Sequence, residues 1–336
     1  MIDYEPVKRT KDLIKIKVIG VGGGGNNAVN QMIVSDVDGV EYILVNTEKG
    51  ILERANTNGC KTLQIGKEIA QGLGAGANPE IGEKAARESI DDIDKILEGT
   101  DLLFVTAGMG GGTGTGAIPV IAEEAKKKGI LTIGIVTKPF SFEGKLRGSR
   151  ANIGIDKLKP NVNALIVISN DKLLQNTETN VSILNAFKMT DDILRQGIQS
   201  MTDIINSVGT INVDFADVQT ILGYQGFSYM GIGKATGENK IVDATLDALN
   251  NPLTETGIDG AKGVIFNIKG GEDISLEDIN KSAGLIGEKV SPDANVIFGT
   301  VIDEDLGDEV VVTVVATGVE SKEDDNKINI NAKYKI

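Results

Sequence analysis

Apolar and polar positions come in blocks along the first half of the chain. Short continuous apolar runs at 16–21, 42–46, 102–107, 131–137 and 164–169 have the length and composition of buried strands. Between them, stretches such as 80–97 and 118–128 repeat apolar residues at three- and four-residue spacing, which predicts amphipathic helices. Strands alternating with helices predict an α/β fold with a parallel sheet covered on both faces. Over 181–207 the apolar positions Ile183, Leu184, Phe187, Ile193, Leu194, Ile198, Met201, Ile204 and Ile205 keep helical spacing, with no proline and only Gly197 inside. That pattern predicts one long helix acting as a central spacer. A loop at 208–216 follows, then a second strand-rich unit with strands at 227–232, 263–268, 295–301 and 309–316 and helices in the gaps. Ser275 with Asp278 makes a capping-box start for one of them. The tail, 320–336, is charged and asparagine-rich and is expected to be mobile. No internal repeat is visible.

Composition narrows the chemistry. The 336 residues suggest about two domains or one large one, long enough for a sizeable core. No apolar run approaches the roughly 20 residues of a membrane span, and Met1-Ile-Asp-Tyr-Glu-Pro lacks the apolar core of an export signal. The expected compartment is the cytoplasm, with no direct membrane insertion. Histidine is absent and Cys60 is the single cysteine. Histidine bases, serine–histidine triads, zinc sites and disulfides within the chain are therefore excluded, and no protein-built metal site is expected. Acid–base work must fall to carboxylates, amides, hydroxyls, lysine and arginine. The net charge of -14 argues against nucleic acid as a partner. It would also repel a phosphate ligand, so phosphate binding would need local dipoles, a positioned cation and a metal ion.

Three glycine-rich segments follow strands and open helices. The first is Gly20-Val-Gly22-Gly23-Gly24-Gly25-Asn26-Asn27, which fits the dinucleotide fingerprint through Gly20, Gly22 and Gly25. A run of four glycines fits many patterns, and a flexible turn is the plain alternative. The second is Gly108–Gly116, six glycines in nine residues, containing Gly110, Gly111, Gly112, Thr113, Gly114 and Thr115. Its glycines cost backbone entropy. In return they expose a row of backbone N–H groups at a helix start, where the dipole favours an anion, and the two threonines can add hydroxyls. No Lys-Ser/Thr pair ends the segment, so it is not a Walker A loop. The third is Gly72-Leu-Gly74-Ala75-Gly76-Ala-Asn78-Pro79. Three such loops on one sheet edge suit a polyphosphate better than a dinucleotide, and in parallel sheets ligands sit beyond the carboxyl ends of the strands.

Gly-Gly-Gly-Thr-Gly-Thr-Gly at 110–116 is the signature of the tubulin and FtsZ superfamily, and the chain resembles its bacterial cell-division branch. The segments 16–30, 72–79, 105–117, 136–147 and 211–218 match that family's motifs, and the resemblance covers about residues 12–318. It implies an N-terminal extension (1–11), a GTP-binding domain (12–180), a central helix (181–207), a smaller α+β activation domain (208–318) and a flexible tail (319–336). It implies GTP and GDP as ligands, with Mg²⁺ held mainly by their phosphates. Gly22, Gly23, Gly24, Gly25 and Asn26 would contact the phosphates and the sugar region. Gly112, Thr113 and Gly114 would bind the β- and γ-phosphates, with Asn46 and the loop of Gly74, Ala75 and Gly76 close by. Glu143 and Arg147 would reach the ribose and the neighbouring phosphate surface. Asp191 on the long helix would read the guanine edge, since a carboxylate accepts from both N1–H and the 2-amino group; the neighbouring Asp192 is the competitor for that role. Asn46-Thr47-Glu48 departs from the family's Asn-Thr-Asp, keeping the charge on a longer arm.

Beyond the long helix lies Ile211-Asn212-Val213-Asp214-Phe215-Ala216-Asp217. On the residues alone, Asp214 reads as a helix cap and Asp217 as a solvated acid. The functional reading has both acids polarising water or holding a cation, oriented by Asn212. A helix of roughly 26 residues spans roughly 39 Å, so if its start lies near the phosphate pocket, acids at its far end cannot reach the same chain's nucleotide. They can reach that of a neighbour stacked head to tail, and repeating such a contact without closure gives a filament. The resemblance implies the same: hydrolysis of GTP at a site completed by the adjoining subunit, in a ring at the mid-cell division site, with division-machinery and membrane-anchor proteins as partners. The tail lacks a clear Asp-Ile-Pro-type anchor peptide. Two competing functions remain open on the sequence. One is a nicotinamide-dependent oxidoreductase using the first glycine cluster, with Glu48 on the ribose. The other is a filament protein that uses nucleotide for stability without hydrolysing it.

Overall fold

The computed structural model describes residues 14–34, 39–55, 59–175, 181–206, 213–250 and 254–319. The first half builds β1 (Ile16–Val21), α1 (Gly22–Val34), β2 (Val40–Asn46), α2 (Lys49–Arg54), β3 (Cys60–Gln64), α3 (Pro79–Glu88), α4 (Ile90–Leu97), β4 (Leu102–Gly108), α5 (Thr113–Lys127), β5 (Leu131–Lys138), α6 (Lys145–Leu158), β6 (Ala164–Ser169) and α7 (Asn170–Gln175). The long helix is α8 (Ile183–Asn206). After it come α9 (Phe215–Leu222), β7 (Gly226–Phe227), β8 (Tyr229–Ala235), α10 (Lys240–Leu249), β9 (Gly263–Gly270), α11 (Leu276–Gly287), β10 (Asn295–Ile302) and β11 (Val310–Thr317).

The larger sheet has the order β3-β2-β1-β4-β5-β6-β7, and every pairing in it is parallel. Its central strands are buried on both sides because they are apolar on both sides. One face, with Val18, Leu44, Phe104 and Ile166, packs on α1 and on Leu194, Ile198 and Met201 of α8. The other, with Ile19, Val45, Val105 and Val136, packs on α3, α4, α5 and α6. Lys17 lies buried in β1, and its Nζ donates to Ile96 O at 2.7 Å and Glu98 O at 2.9 Å, capping the end of α4. Burial pushes its pKa below the usual lysine value.

The expected helix at 80–97 is two helices. Ser89 sits between α3 and α4, and its hydroxyl accepts Gly66 N–H at 3.0 Å, a tertiary tie that interrupts one continuous apolar stripe. Helix α5 starts earlier than periodicity suggests, inside the glycine segment itself, and Pro119 lies within it. Strand β3, too polar to be read as a strand, pairs on the edge beside β2.

The smaller sheet, β10-β9-β11-β8, is mixed: β10 and β9 run parallel, and β11 is antiparallel to β9 and β8. Tyr229, Phe266, Val312 and Val314 meet Ile241 and Ala244 of α10 and Ile286 of α11 in a separate core. Ser275 caps α11 by accepting Asp278 N–H at 3.5 Å. Lys269 of β9 bonds Asp203 of α8 at 3.5 Å and Asp303 at 2.9 Å, tying the long helix to this second sheet. The tail from residue 320 and Asn212 lie outside the described residues.

Candidate functional site

The glycine segments meet at the carboxyl ends of β1, β2 and β4. The first becomes the opening turn of α1, so the four glycines from Gly22 carry the unpaired N–H groups of a helix start. Gly22 has φ +72°, and a methyl group on it would lie 2.8 Å from Gly114 N, so the first and second segments touch at backbone level. Gly112 packs on Ala75 and on Asn78 N, which brings in the third. That third loop is tied to the end of β2 through Lys49 N–H to Gly72 O at 3.3 Å and a bridge between Glu48 and Leu73. Asn78 caps α3 through Glu80 N–H at 3.0 Å. Helix α3 then lies hard against α5: a methyl on Gly116 would sit 2.0 Å from Pro79 O.

The polar groups beneath the loops are committed to holding them. Asn26 is fully buried; its amide donates to Gly20 O at 2.8 Å and accepts from Asn46 Nδ2 at 2.7 Å. Asn46 Oδ1 in turn accepts Glu48 N–H at 3.2 Å. Thr47 and Thr113 share a hydroxyl–hydroxyl bond of 2.6 Å, and Thr115 Oγ1 accepts Gly110 N–H at 2.8 Å. Asn26, Asn46 and Thr115 therefore shape the cradle with their side chains. Gly23 and Gly111 are its open positions, where an added methyl would meet no heavy atom within 4 Å.

Beside the cradle runs a cleft of about 190 Å³, walled by Gly24, Gly108, Thr137, Glu143, Arg147 and Asp191 among others. Arg147 Nε and Glu143 Oε2 pair at 3.0 Å, and Glu143 Oε1 accepts Phe140 N–H at 2.9 Å, so the two residues form one fixed wall. The two aspartates of α8 separate clearly. Asp192 is engaged by Arg195 Nε at 2.8 Å and Gln196 Nε2 at 2.5 Å. Asp191 lines the cleft, and burial raises its carboxyl to about 6.

Several cleft residues escaped the sequence reading, Asn27, Phe187 and Asn170 among them. Asn27 lines the wall next to the buried Asn26. Phe187 stands one helical turn before Asp191, edge-on to Phe140, which stacks on Phe142. Asn170, which opens α7, is 4% exposed, faces the cleft and has a buried Oδ1 with no partner in the structure. An orphaned buried acceptor costs on the order of 1–3 kcal/mol, which a ligand donor would recover. Helical periodicity could have separated Asn26 from Asn27, since neighbours on a helix face about 100° apart; nothing local marks Asn170.

The acidic loop is elsewhere. From Asp191 to its end at Asn206, α8 runs on the order of 22 Å away from the cleft. Strand β7, just after α9, pairs its Gly226 with Ala164, the first residue of β6, at the amino edge of the sheet. Asp214 is exposed and caps α9 by accepting Ala216 N–H at 3.5 Å; Asp217 is exposed in that helix's first turn. Thus the loops lie at the carboxyl edge of the sheet, while the strand that follows the acids joins it at the amino edge. Among the described residues no group of three or more acids or cysteines converges to hold a metal ion, and no helix is long and apolar enough to cross a membrane.

Residues 15–178 match the model of the tubulin/FtsZ family GTPase domain, and residues 226–320 match the FtsZ family C-terminal domain. Among solved structures, an empty FtsZ dimer from M. jannaschii is 40% identical, with 91% of this chain and 89% of that chain covered at a TM-score of 0.85. A point mutant of M. jannaschii FtsZ gives the same identity and TM-score, with 91% of each chain covered. A GTPγS-bound protofilament of CetZ2 from Haloferax volcanii is 20% identical, covering 95% and 98% at 0.80, and speaks for the fold alone. The nicotinamide reading, which rested on the first glycine segment by itself, loses its footing in three interlocked loops and a GTPase-domain match. With both domain models matched in order and that identity over nine-tenths of its length, the chain belongs to the FtsZ/tubulin superfamily.

Proposed function

We propose that the chain binds GTP in the cleft and hydrolyses it to GDP and phosphate only where a second copy supplies Asp214 and Asp217. The uncrowded backbone at Gly23 and Gly111, with Gly112–Gly114, suits the phosphates. Glu143 and Arg147 suit the ribose and the nearby phosphate surface. Asp191 suits N1–H and the 2-amino group of guanine, and the orphaned Oδ1 of Asn170 adds an acceptor on the same wall. Mg²⁺, held mainly by phosphate oxygens, would neutralise their charge. Asp214 and Asp217 of the neighbour would orient the attacking water, with Asn212 assisting.

The observation that carries this reading is that α8 runs on from Asp191 at the cleft to Asn206, and that the strand after the acids joins the sheet at its amino edge. A contact joining one copy's acids to the next copy's cleft repeats head to tail, and that geometry extends into a filament. The family resemblance then gives the filament its setting: a cytokinetic ring at mid-cell, on the cytoplasmic side, with division-machinery and membrane-anchor partners. The deciding measurement is phosphate release per molecule against protein concentration, with GTP and Mg²⁺. Specific activity should rise above a critical concentration. Activity per molecule that stays constant under dilution would refute a shared site.

A further inference from the structure

The wall that carries Glu143 and Arg147 begins as a short turn. Ser141–Glu143 form a single 3-10 turn, flanked by Phe140 and Gly144. Gly144 has φ +99°, a conformation that favours glycine, and α6 begins directly after it. Phe142 is 60% exposed, so the outer side of the turn is unpacked. Two contacts anchor the turn from within. Phe140 is buried edge-on to Phe187, and its N–H is bound by Glu143 Oε1. The first is apolar packing, and the second lies inside the turn itself.

A third hold comes from α7. Asp171 accepts Ser141 N–H at 2.9 Å through Oδ1, and its Oδ2 accepts the Ser141 hydroxyl. One carboxylate takes both donors of one residue, a job suited to a group that accepts on two oxygens. Helix α7 is a firm point for such a bond. Ile168 at the end of β6 bridges Thr254, Lys172 Nζ donates to Thr254 O at 2.7 Å, and Lys138 pairs with Glu255 at 2.6 Å. Asn170, which opens α7, lines the cleft, while its neighbour Asp171 turns to Ser141. The side of the cleft that suits the base and the side that suits the ribose are thereby joined through one carboxylate.

We propose that Asp171 is a positioning residue for the nucleotide: it holds Glu143 and Arg147 level with the ribose and does not itself touch the ligand. This rests on the reading of the cleft as a GTP site. Asp171 stands outside the residues that line the cleft, so it acts through the turn. Glu143 already accepts Phe140 N–H and pairs with Arg147, and a carboxylate has acceptor sites left for a ribose hydroxyl. Those sites meet the hydroxyl only while the turn keeps its place. The contribution of Asp171 is geometric, because a further negative charge near a polyphosphate weakens binding. Asp171→Asn keeps the geometry: its Oδ1 accepts Ser141 N–H and its Nδ2 donates to the Ser141 hydroxyl oxygen. Asp171→Ala leaves both Ser141 donors without this partner.

Affinities of the full chain for GTP and for 2′,3′-dideoxy-GTP test this. In the parent, loss of the ribose hydroxyls should weaken binding about tenfold. Asp171→Ala should weaken GTP about tenfold but dideoxy-GTP by about twofold or less, because that ligand lacks the group the turn holds. Asp171→Asn should return GTP affinity to within about twofold of the parent. Ser141→Ala, which loses one of the two bonds, should show the same selectivity at a smaller size, and it carries the test if Asp171→Ala does not fold. At assembling concentrations Asp171→Ala should raise KM for GTP and keep kcat within about twofold. Equal losses on both nucleotides would make Asp171 a general support of the fold, and a loss shared in full by Asp171→Asn would assign it to charge; either overturns the proposal. So do unaltered GTP affinity in Asp171→Ala and a parent indifferent to the ribose hydroxyls. All of these leave the GTP site standing, whereas a parent that binds no GTP removes the site and this inference with it.

Discussion

The carboxyl edge of the large sheet and the acids beyond α8 are built on opposite principles. At the carboxyl edge nearly every group is held by another: Asn26 by Gly20 and Asn46, Thr113 by Thr47, Gly112 against Ala75, α3 against α5. Beyond α8, Asp214 and Asp217 stand exposed on the first turn of α9, with one weak cap between them. A cradle for phosphate must be formed before the ligand arrives, because N–H groups that have to reorganise lose most of their advantage. Acids that act on another molecule can be left to the contact that positions them. The difference teaches that stability and chemistry are separable here: substitutions in the interlocked packing of the carboxyl edge should alter folding, and those of the exposed acids only turnover.

Asp217→Ala is the sharpest way to break that comparison. An exposed acid in a helix's first turn contributes up to about 1 kcal/mol through the dipole, so the variant should unfold at nearly the same urea concentration and still bind GTP. Hydrolysis should fall by about 10²–10³-fold, the usual loss when one preorganised polar group is taken from a transition state. Steady-state phosphate release at a concentration well above the critical one reads this directly. Near-normal turnover would remove Asp217 from the chemistry.

The carboxyl edge should respond in the opposite sense. A methyl at Gly116 meets Pro79 O at 2.0 Å and Glu83 N at 2.6 Å, both backbone atoms that only a shift of α3 can relieve. Overpacking of this kind costs about 1–3 kcal/mol, and the gain in helix propensity, up to about 1 kcal/mol, offsets only part of it. Gly116→Ala should therefore unfold earlier in urea without nucleotide. Gly111→Ala, where the methyl meets nothing, should stay within about 0.5 kcal/mol of the parent in stability and lose affinity for GTP. Equal stability of the two variants would mean that the interlocked packing does not hold the cradle.

The parallel sheet could be read from the sequence because its strands are buried on both faces and appear as unbroken apolar runs. Strand β3 could not: Cys60-Lys-Thr-Leu-Gln is partly exposed along its whole length, and it is a strand only because β2 lies beside it. The break at Ser89 depends on Gly66, a partner more than 20 residues away. The same holds within the site. The glycine segments declared themselves because no other residue permits so close an approach of backbones. Which of two adjacent asparagines faces the ligand, and that Asn170 faces it at all, is decided by tertiary contacts that no local pattern carries.

Asp191 and Asp192 sharpen the comparison on the smallest scale. Burial raises the Asp191 carboxyl to about 6, from 3.8 when unfolded. Below about pH 3 both states are largely protonated. As pH rises from about 3 to 6 the unfolded chain loses the proton first, so this group subtracts stability over that window, and the cost persists above it. Asp191→Asn should therefore stabilise the nucleotide-free protein near neutral pH by roughly 1–2 kcal/mol, after allowing for partial solvation, and leave it nearly unchanged near pH 3. Guanine needs the ionised form, which alone accepts from both N1–H and the 2-amino group. GTP affinity should thus fall about tenfold between about pH 7 and pH 5 in the parent and stay flat in Asp191→Asn. Asp192→Ala, which loses only the contacts to Arg195 and Gln196, should keep the parent's pH profile. A flat profile in Asp192→Ala, with the parent's slope retained in Asp191→Asn, would reverse the assignment of the two carboxylates.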